Sequence, residues 1–504
     1  MVVAAVRRGR LERKGKAMSL GAVLNSARSS LTALSERTRV TSENIANVDN
    51  PDYSRRIAEN VPGSHGVRRV AIQRAEDREI LAQMLDYTSR HAGNKVLADG
   101  LDQLQRAFGG PDSETSPAAL LARLRQDLQA FAAMPDSGAA ARQVVVSARA
   151  VVDSLHRGAQ AVQDLRTMAD AEIARSVTRI NETLARFHEA NAAIVSGRLS
   201  DAERARQKDA RDAALADLAE EIDIRTIARP DGGLAIYTAS GAVLYEKQPR
   251  VVTFVPSGML APGVTGQPVH VDGVPVTGDA AAMTLRAGRL SSLVQLRDRI
   301  ALDWQTQLDE VARGLIETFA EHDQGSPPGP DLAGLFTWSG GPALPSAGAH
   351  VSGLATDIRV NPLVDPEAGG NPFLVRDGGI NGIGYMENTG GFAGYTQRLL
   401  TLDAAMGAPR AFDPAAGLET SADLVSYAAS SQAWLEQARG HAAQNKEYSA
   451  ALLSRASAAL SRATGVDLDA ELATMMRLER TWQASARLIQ AVDTMLASLL
   501  DAAR

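Results

Sequence analysis

The chain has 504 residues and a formal net charge of -6, a length that accommodates about two to four ordinary domains. It contains no cysteine, which excludes disulfides, thiolate metal ligands and cysteine nucleophiles. Aromatic residues make up only 4% of the chain, and no dense basic tract with interleaved aromatic residues indicates nucleic-acid binding. No stretch approaches the roughly 18 apolar residues that a membrane span needs. This composition favours long packed helices over a pocket-rich enzyme.

The first 17 residues are basic, but no apolar stretch follows them. Asn25, Arg28 and the serines around them interrupt the next segment, so a secretory signal peptide is not expected. We interpret residues 1–17 as a disordered extension, with the working chain beginning at Met18. A transit peptide is the alternative interpretation.

From Leu20 to Val48, apolar and small residues recur at alternating steps of four and three. This spacing predicts one helix with a coiled-coil seam. Asn50-Pro51 ends the helix, because proline disfavours helical structure at the residue before it. Two threonines dilute the seam, so a lone helix here would be marginal. The seam residues are Leu20, Leu24, Ala27, Leu31, Leu34, Thr38, Thr41, Ile45 and Val48.

The C-terminal segment has the same spacing, after Gly465 breaks the preceding helix. Asp467 is placed to act as its N-cap, while Asp469 and Glu471 favour the positive first turn. We expect the two terminal seams to pair with each other, although each could instead pack separately on the middle of the chain. The seam residues are Met475, Leu478, Trp482, Ser485, Ile489, Val492, Leu496 and Leu499.

Helical spacing also runs through the middle of the chain and predicts an elongated bundle. The predicted bundle helices are 80–108, 117–133, 138–197, 289–321 and 424–463. Alternating apolar residues after Glu220, with glycine turns at Gly232 and Gly241, predict β-hairpins. Residues 325–394 are rich in glycine and proline, which predicts loops and short strands.

These patterns predict a mainly helical α+β fold that is elongated and multi-domain. We expect N- and C-terminal helices paired as a coiled coil, a long helical bundle and a β- and loop-rich middle that projects away from the termini. The predicted parts are the disordered extension 1–17, a terminal coiled-coil domain of 18–60 plus 465–504, a helical bundle of 61–225 plus 286–324 plus 395–464, and an outer β- and loop-rich region of 226–285 plus 325–394.

Motifs for catalysis or ligand binding are missing from the sequence. No two of the eight histidines are paired at metal-ligand spacing. His188-Glu189 begins like a zincin motif, but Ala192 stands where the second histidine would be. No P-loop, dinucleotide fingerprint or nucleophile elbow is present. We therefore predict a non-enzymatic protein with no catalytic residue, no cofactor and no metal site.

The N-terminal segment resembles the signature of the flagellar axial proteins, which comprise rod, hook and hook-associated families. The ending Tyr53-Ser54-Arg55 is more similar to the hook-associated protein 1 family than to hook or rod proteins. Asp52 stands where that family usually has glycine, and Arg56 where it usually has glutamine. The residues that carry the resemblance are Ser42, Asn44, Ile45, Ala46, Asn47, Pro51, Tyr53, Ser54 and Arg55.

The C-terminal segment resembles the C-terminal helix of the same family. A weaker resemblance lies at Gly325 through Asp331, with Gly334, Leu335 and Phe336. The residues that carry the C-terminal resemblance are Gly465, Val466, Leu468, Glu471, Leu472, Gln483, Ala484, Ser485, Ala486 and Leu496.

The resemblance implies a structural subunit of the bacterial flagellum. It implies export in unfolded form by the flagellar type III system, an extracellular location in the flagellum, and polymerisation into a ring at the hook–filament junction. The implied partners are further copies of the chain, the hook protein, a second hook-associated protein and an export chaperone, with no nucleic acid and no membrane. Two alternatives remain: another axial subunit, such as hook or distal rod protein, or a secreted enzyme carried on axial-type termini.

The resemblance also implies that the terminal segments fold as subunits join. The predicted subunit-contact residues are Leu20, Leu24, Leu31, Leu34, Asn44, Ile45, Asn47, Tyr53, Met475, Leu478, Trp482, Ile489, Val492, Leu496 and Leu499. The predicted chaperone-binding residues are Met475, Met476, Leu478, Trp482, Ile489 and Leu496; alternatively, these positions serve only the core of the chain itself. Asn44 and Asn47 would either cap free carbonyl groups or contact a neighbouring subunit.

Overall fold

The computed structural model describes residues 20–62, 68–108, 113–346 and 348–502; the predicted extension 1–17 lies outside them. Within these residues the chain forms a mainly helical α+β fold, as predicted, with five small antiparallel sheets. The helices are α1 (Leu20–Ala46), α2 (Arg78–Phe108), α3 (Pro117–Ala133), α4 (Gly138–Val195), α5 (Asp201–Glu221), α6 (Arg289–Gln295), α7 (Ala301–Thr318), α8 (Leu354–Asp357), α9 (Leu374–Asp377), α10 (Gln397–Gly407), α11 (Leu424–Thr464) and α12 (Leu468–Ala502).

The strands are short and pair only with near neighbours. They form the sheets β1–β2, β3–β4–β5, β6–β7–β8, β9–β10 and β11–β12. The strands are β1 (Arg56–Pro62), β2 (Arg68–Arg74), β3 (Ile224–Ala228), β4 (Leu234–Thr238), β5 (Val243–Tyr245), β6 (Val252–Thr253), β7 (His270–Val271), β8 (Val274–Pro275), β9 (Phe336–Thr337), β10 (Arg359–Val360), β11 (Arg410–Ala411) and β12 (Ser421–Ala422).

Helix α4 is the axis of the bundle. Its 58 residues span about 87 Å at 1.5 Å per residue. Ser137 caps its start by accepting a hydrogen bond from the Ala140 amide at 3.2 Å. Gly158 is buried within it and does not interrupt it. The long helix predicted over 138–197 is therefore confirmed, and its heptad-like stripe faces the core.

Two apolar cores divide the length of α4. The first half, from Ala141 to Leu165, packs with α3, α7, the start of α11 and buried residues of the glycine-rich segment, such as Phe336 and Ile358. The second half, from Ala169, packs with α5, α6 and the strands β4 to β7. Each half of the long helix is thus covered by a different part of the chain.

The two segments predicted as one outer region lie on different halves of α4. Residues 325–394 cover the half far from the chain ends, whereas residues 226–285 cover the half nearest to them. The prediction that the whole middle projects away from the termini therefore does not hold for 226–285. The reason is that β4 and β5 carry an apolar face that packs against α4. Tyr245 of β5 contacts Phe187 of α4 in a T-shaped arrangement, with ring centroids 4.9 Å apart.

The turn after α1 and the start of α12 meet beside the middle of α5. Helix α11 runs back along α2 and ends where its Thr464 carbonyl accepts a hydrogen bond from the Arg55 amide at 2.7 Å. Gly465 follows in extended conformation, and a Cβ there would lie 2.4 Å from the Ser461 carbonyl oxygen. No helix among the described residues is both long and apolar enough to cross a membrane.

Candidate assembly site at the paired chain ends

Helices α1 and α12 pack along each other, as the two seams predict. On α1, Leu34 and Thr41 are buried, and on α12 Leu478 and Val492 are buried. The other described seam positions are half-buried or exposed: Ala27, Leu31, Thr38, Ile45, Val48, Met475, Trp482, Ser485 and Ile489. The side chains of the predicted seam residues Leu20, Leu24, Leu496 and Leu499 are not described by the structure. Their backbone belongs to the two helices.

Helix α12 carries large apolar side chains that α1 leaves uncovered on both flanks of its buried residues. Trp482 is 50% exposed even though it belongs to the seam. Large apolar residues that are between 41% and 64% exposed flank it: Leu468, Leu472, Met476, Leu488 and Met495. Packing against α1 therefore leaves apolar side chains of α12 open to solvent.

The predicted chaperone-binding residues are not all on one accessible surface in the folded chain. Met476 and Trp482 are exposed, and Met475 and Ile489 are half-buried, whereas Leu478 is buried in the pair. A partner that binds all of these residues must therefore bind α12 when it is separated from α1.

Asn44 fastens the end of α1 to the start of β1. Its side-chain amide donates to the Arg56 carbonyl at 2.9 Å, and its side-chain oxygen accepts from the Arg56 amide at 2.9 Å. The same oxygen accepts from the Tyr53 hydroxyl at 2.8 Å. Asn44 is only 1% exposed, so its hydrogen bonds are made inside the chain and it holds the turn in shape.

Asn47 caps the end of α1, because its side-chain amide donates to the Glu43 carbonyl at 2.8 Å. The turn continues through Asn50, whose side-chain oxygen accepts from the Asp52 amide at 3.1 Å. Asp52 does not have a positive φ. The turn therefore forms here without the left-handed conformation that glycine favours.

Arg55 connects the N-terminal and C-terminal segments that resemble the flagellar axial proteins. Its amide bonds the Thr464 carbonyl, and its carbonyl accepts from the Ala75 amide at 2.9 Å. Its guanidinium group pairs with Glu471 of α12 at 2.7 Å, and the Glu471 side chain is buried. One residue thus connects the turn after α1, the segment leading into α2, and the start of α12. Asp467 caps α12, as predicted, by accepting from the Ala470 amide at 3.0 Å.

The hairpin β1–β2 links the helix pair to the bundle, and the sequence prediction missed it. Arg56 and Arg74 face each other across this hairpin. Asp209 of α5 accepts from both guanidinium groups, from Arg74 at 2.7 Å. Asp212, one helical turn further along α5, also pairs with Arg74, at 2.6 Å. All four side chains are at most 14% exposed.

Burial and charge shape the protonation of this region. Burial raises the pKa of the Tyr53 hydroxyl, which therefore remains a hydrogen-bond donor to Asn44 at any ordinary pH. The Arg56 guanidinium carbon lies 4.6 Å from the centre of the Tyr53 ring, close enough for a cation–π interaction. Burial opposes the charge on Arg74, but Asp212 and Asp209 outweigh it and raise its pKa. Arg74 thus stays charged.

A cavity of about 740 Å³ lies between the terminal turn and the bundle. Its walls are the turn 48–54, the start of α2, the middle of α5, and the end of α11. Carboxylates and arginines both line it, among them Asp209 and Arg211. Within the described residues, no group of three His, Cys, Asp or Glu side chains could hold a metal ion.

Comparisons with known proteins place these features in a family. A profile of the flagellar hook-associated protein FlgK helical domain matches residues 101–331. A profile of the flagellar basal body rod FlgEFG protein C-terminal region matches residues 459–502. No curated protein matches the chain.

Among solved structures, the flagellar hook junction protein FlgK from Burkholderia pseudomallei is similar with a TM-score of 0.42 and 18% sequence identity. The similarity covers 51% of this chain and 47% of that one, so the chain matches about half the length of that protein.

The two profiles match separate segments of the chain. The first covers bundle helices from the end of α2 through α7, and the second covers the end of α11 and α12. Together the two profile matches support a flagellar hook-associated protein of the FlgK family, a structural component of the flagellum.

Proposed function

We propose that this chain forms the hook–filament junction as a homo-oligomeric ring whose subunits join through α1 and α12. The observation that supports this most is the open apolar surface of α12 in a protein of the FlgK family. Hook protein on one side of the ring and a second hook-associated protein on the other are the proposed neighbours. The ring lies outside the cell, in the flagellum.

Burial in the terminal pair supports folding that is completed by assembly. Among the described side chains of α12, only Glu471, Leu478 and Val492 are buried. Ordering a helix costs roughly 1–2 kcal/mol of backbone entropy for each residue, and so few buried contacts offset little of it. Neighbouring copies supply the missing apolar contact, so the ends become fully ordered only when subunits join.

The predicted contact residues take three roles in this proposal. The buried residues Leu34, Leu478 and Val492 hold the pair together, and Asn44 and Asn47 hold the turn that follows α1. Leu20, Leu24, Leu496 and Leu499 extend the two seams. Exposed or half-buried residues contact neighbouring copies directly: Leu31, Ile45, Tyr53, Met475, Trp482 and Ile489.

Export precedes this assembly. We propose that the chain passes through the flagellar type III system unfolded, and that a chaperone first holds α12 through Met475, Met476, Leu478, Trp482, Ile489 and Leu496. Because Leu478 is buried against α1 in the folded chain, the chaperone and α1 compete for the same surface. Binding of the chaperone would therefore keep the ends apart until export.

The proposed domains follow from these roles. Residues 18–60 with 465–504 form the assembly domain, and 61–225, 286–324 and 395–464 form the bundle that builds the outer wall. Residues 226–285 and 325–394 lie outermost on that wall. The hairpin β1–β2 crosses the boundary at residue 60 and connects the first two domains.

Deletion of the gene tests the proposal. Electron microscopy of the deletion strain should show hooks without filaments, with flagellin lost to the medium, and the full-length chain supplied in trans should restore filaments. Loss of the hook itself would instead indicate a hook or distal rod subunit. Normal filaments would contradict the junction role and favour a secreted protein with axial-type ends.

A further inference from the structure

The joint between the terminal helix pair and the bundle depends on a small group of charged residues. The chain crosses this joint through two short segments, 75–77 and 465–467. Among the described residues, no bundle helix packs along α1 or α12 as extensively as β2 packs along α5. The hairpin β1–β2 therefore provides the main contact between the terminal helix pair and the bundle.

The contact between the hairpin and α5 is unusual because it contains two like charges side by side. Arg56 and Arg74 are direct partners across the antiparallel hairpin, and like charges in that position repel each other. Asp209 offers one carboxylate oxygen to each of them. The hairpin thus needs a carboxylate from the bundle in order to close without repulsion.

Burial makes this requirement strong. The exposed fractions of the side chains are 2% for Arg56, 8% for Arg74 and 13% for Asp209. Removing one member of a buried ion pair leaves an uncompensated charge, which is costly. Of the two hairpin arginines, Asp212 pairs only with Arg74, at 2.6 Å, so among the described residues Arg56 depends on Asp209 for a carboxylate partner.

The cavity beside this contact indicates that apolar packing contributes little to the joint. Its volume of about 740 Å³ separates the turn 48–54 from α2 and the end of α11. Arg55 ties the crossing segments to one another through Thr464 and Ala75, but these bonds do not reach α5. The contacts of the hairpin with α5 therefore determine the direction in which the terminal helix pair leaves the bundle.

We propose that Asp209 is a positioning residue for assembly, which sets the orientation of the terminal helix pair on the bundle by neutralising Arg56 and Arg74 together. The proposal rests on the proposed junction function.

The test compares Asp209→Asn with Asp217→Asn. Asp217 lies on the same helix and pairs with Arg186 at 2.8 Å, but both side chains are more than half exposed. Each variant replaces the chain in its own bacterium, and electron microscopy counts the fraction of hooks that carry filaments. We expect Asp209→Asn to lower this fraction at least about tenfold and Asp217→Asn to leave it within about twofold.

Two further measurements separate positioning from folding. The purified Asp209→Asn chain should keep the thermal unfolding midpoint of the bundle, and the amount secreted should match that of Asp217→Asn. The double variant Arg56→Gln with Asp209→Asn should recover filaments, because it removes the orphaned charge while Arg74 keeps Asp212.

Equal filament counts for Asp209→Asn and Asp217→Asn would overturn the inference. So would a bundle that unfolds at lower temperature or a double variant without recovery, since the defect would then arise from folding or from another contact. If the wild-type chain itself fails to restore filaments to the deletion strain, the proposed junction function fails instead.

Discussion

The helical bundle and the terminal helix pair are built from similar helices but bury very different shares of them. In α4, 26 of 58 residues are buried. In α12, three of the described side chains are buried in a helix of 35 residues. Apolar spacing predicts a helix in both cases, but the number of covered faces depends on the neighbours. Helix α4 has neighbours on several sides, whereas among the described residues α12 packs extensively only along α1. The bundle is therefore covered within one chain, whereas under the proposed function the ends depend on further copies.

The largest effect should come from the bundle core. Leu155→Ala removes a fully buried side chain of α4 and should lower the free energy of unfolding by about 2–5 kcal/mol. Equilibrium urea unfolding of the purified chain measures this. Leu488→Ala is the matched control, because Leu488 is 64% exposed on α12. Equal losses in the free energy of unfolding for the two variants would contradict the proposed difference in stability between the bundle and the terminal pair.

The next effect concerns the turn that joins α1 to the hairpin. Asn44→Ala leaves the Arg56 backbone groups and the Tyr53 hydroxyl without their partner, a loss of about 1–3 kcal/mol. In assembled junctions, trypsin should then cleave after Arg55 or Arg56 roughly fivefold to a hundredfold faster. The exposed Asn60 of β1 supplies the control variant Asn60→Ala, which should change little. An unchanged cleavage rate in Asn44→Ala would show that the amide does not hold the turn.

A buried carboxyl group gives the bundle a pH dependence of its own. Burial raises the pKa of Asp223 to about 6, and one of its carboxylate oxygens has no hydrogen-bond partner. The fold thus holds this proton more tightly than the unfolded chain, and stability falls as the pH rises from about 4 to 6. Asp223→Asn should stabilise the lone chain by about 1–2 kcal/mol above pH 6, and the gain should vanish below about pH 4.

Thermal unfolding across this pH range measures the effect. Asp279→Asn, an exposed position on the same half of the bundle, should show no such gain. A constant difference between Asp223→Asn and the wild-type chain at every pH would mean that the carboxyl group is not held protonated.

The smallest effect on the lone chain should come from the terminal pair. Leu478 is buried on α12, yet Leu478→Ala should change the urea unfolding of the lone chain by less than about 0.5 kcal/mol, because few contacts depend on the pair. The same variant should assemble poorly. A loss as large as that of Leu155→Ala would mean that the ends already belong to the stable core.

Much of the fold can be predicted from spacing alone. Helices α1, α3, α4 and α11 begin and end within two residues of their predicted limits, because each carries a continuous apolar stripe. Helix α5 was missed, since alanines dilute its stripe. Its start nevertheless carries a readable signal, the capping box formed by Ser200 and Glu203.

The candidate site could be predicted only in part. The two seams and the turn residues lie in local motifs, and the sequence gives them directly. The hairpin β1–β2 was missed because its buried residues include arginines, and a buried arginine is plausible only beside a carboxylate. Asp209, which supplies that carboxylate, lies 153 residues from Arg56. Long-range compensation of this kind leaves no local pattern, and neither do the hydrogen bonds of Asn44 to the Arg56 backbone.

Hydrogen exchange tests the central claim most directly, by comparing the purified chain at low concentration with the chain in isolated hook–filament junctions. We predict that amides of α1 and α12 exchange rapidly in the lone chain and become strongly protected in the junction, while those of α4 are equally protected in both. Amides of α12 that are as protected as those of α4 in the lone chain would contradict the account.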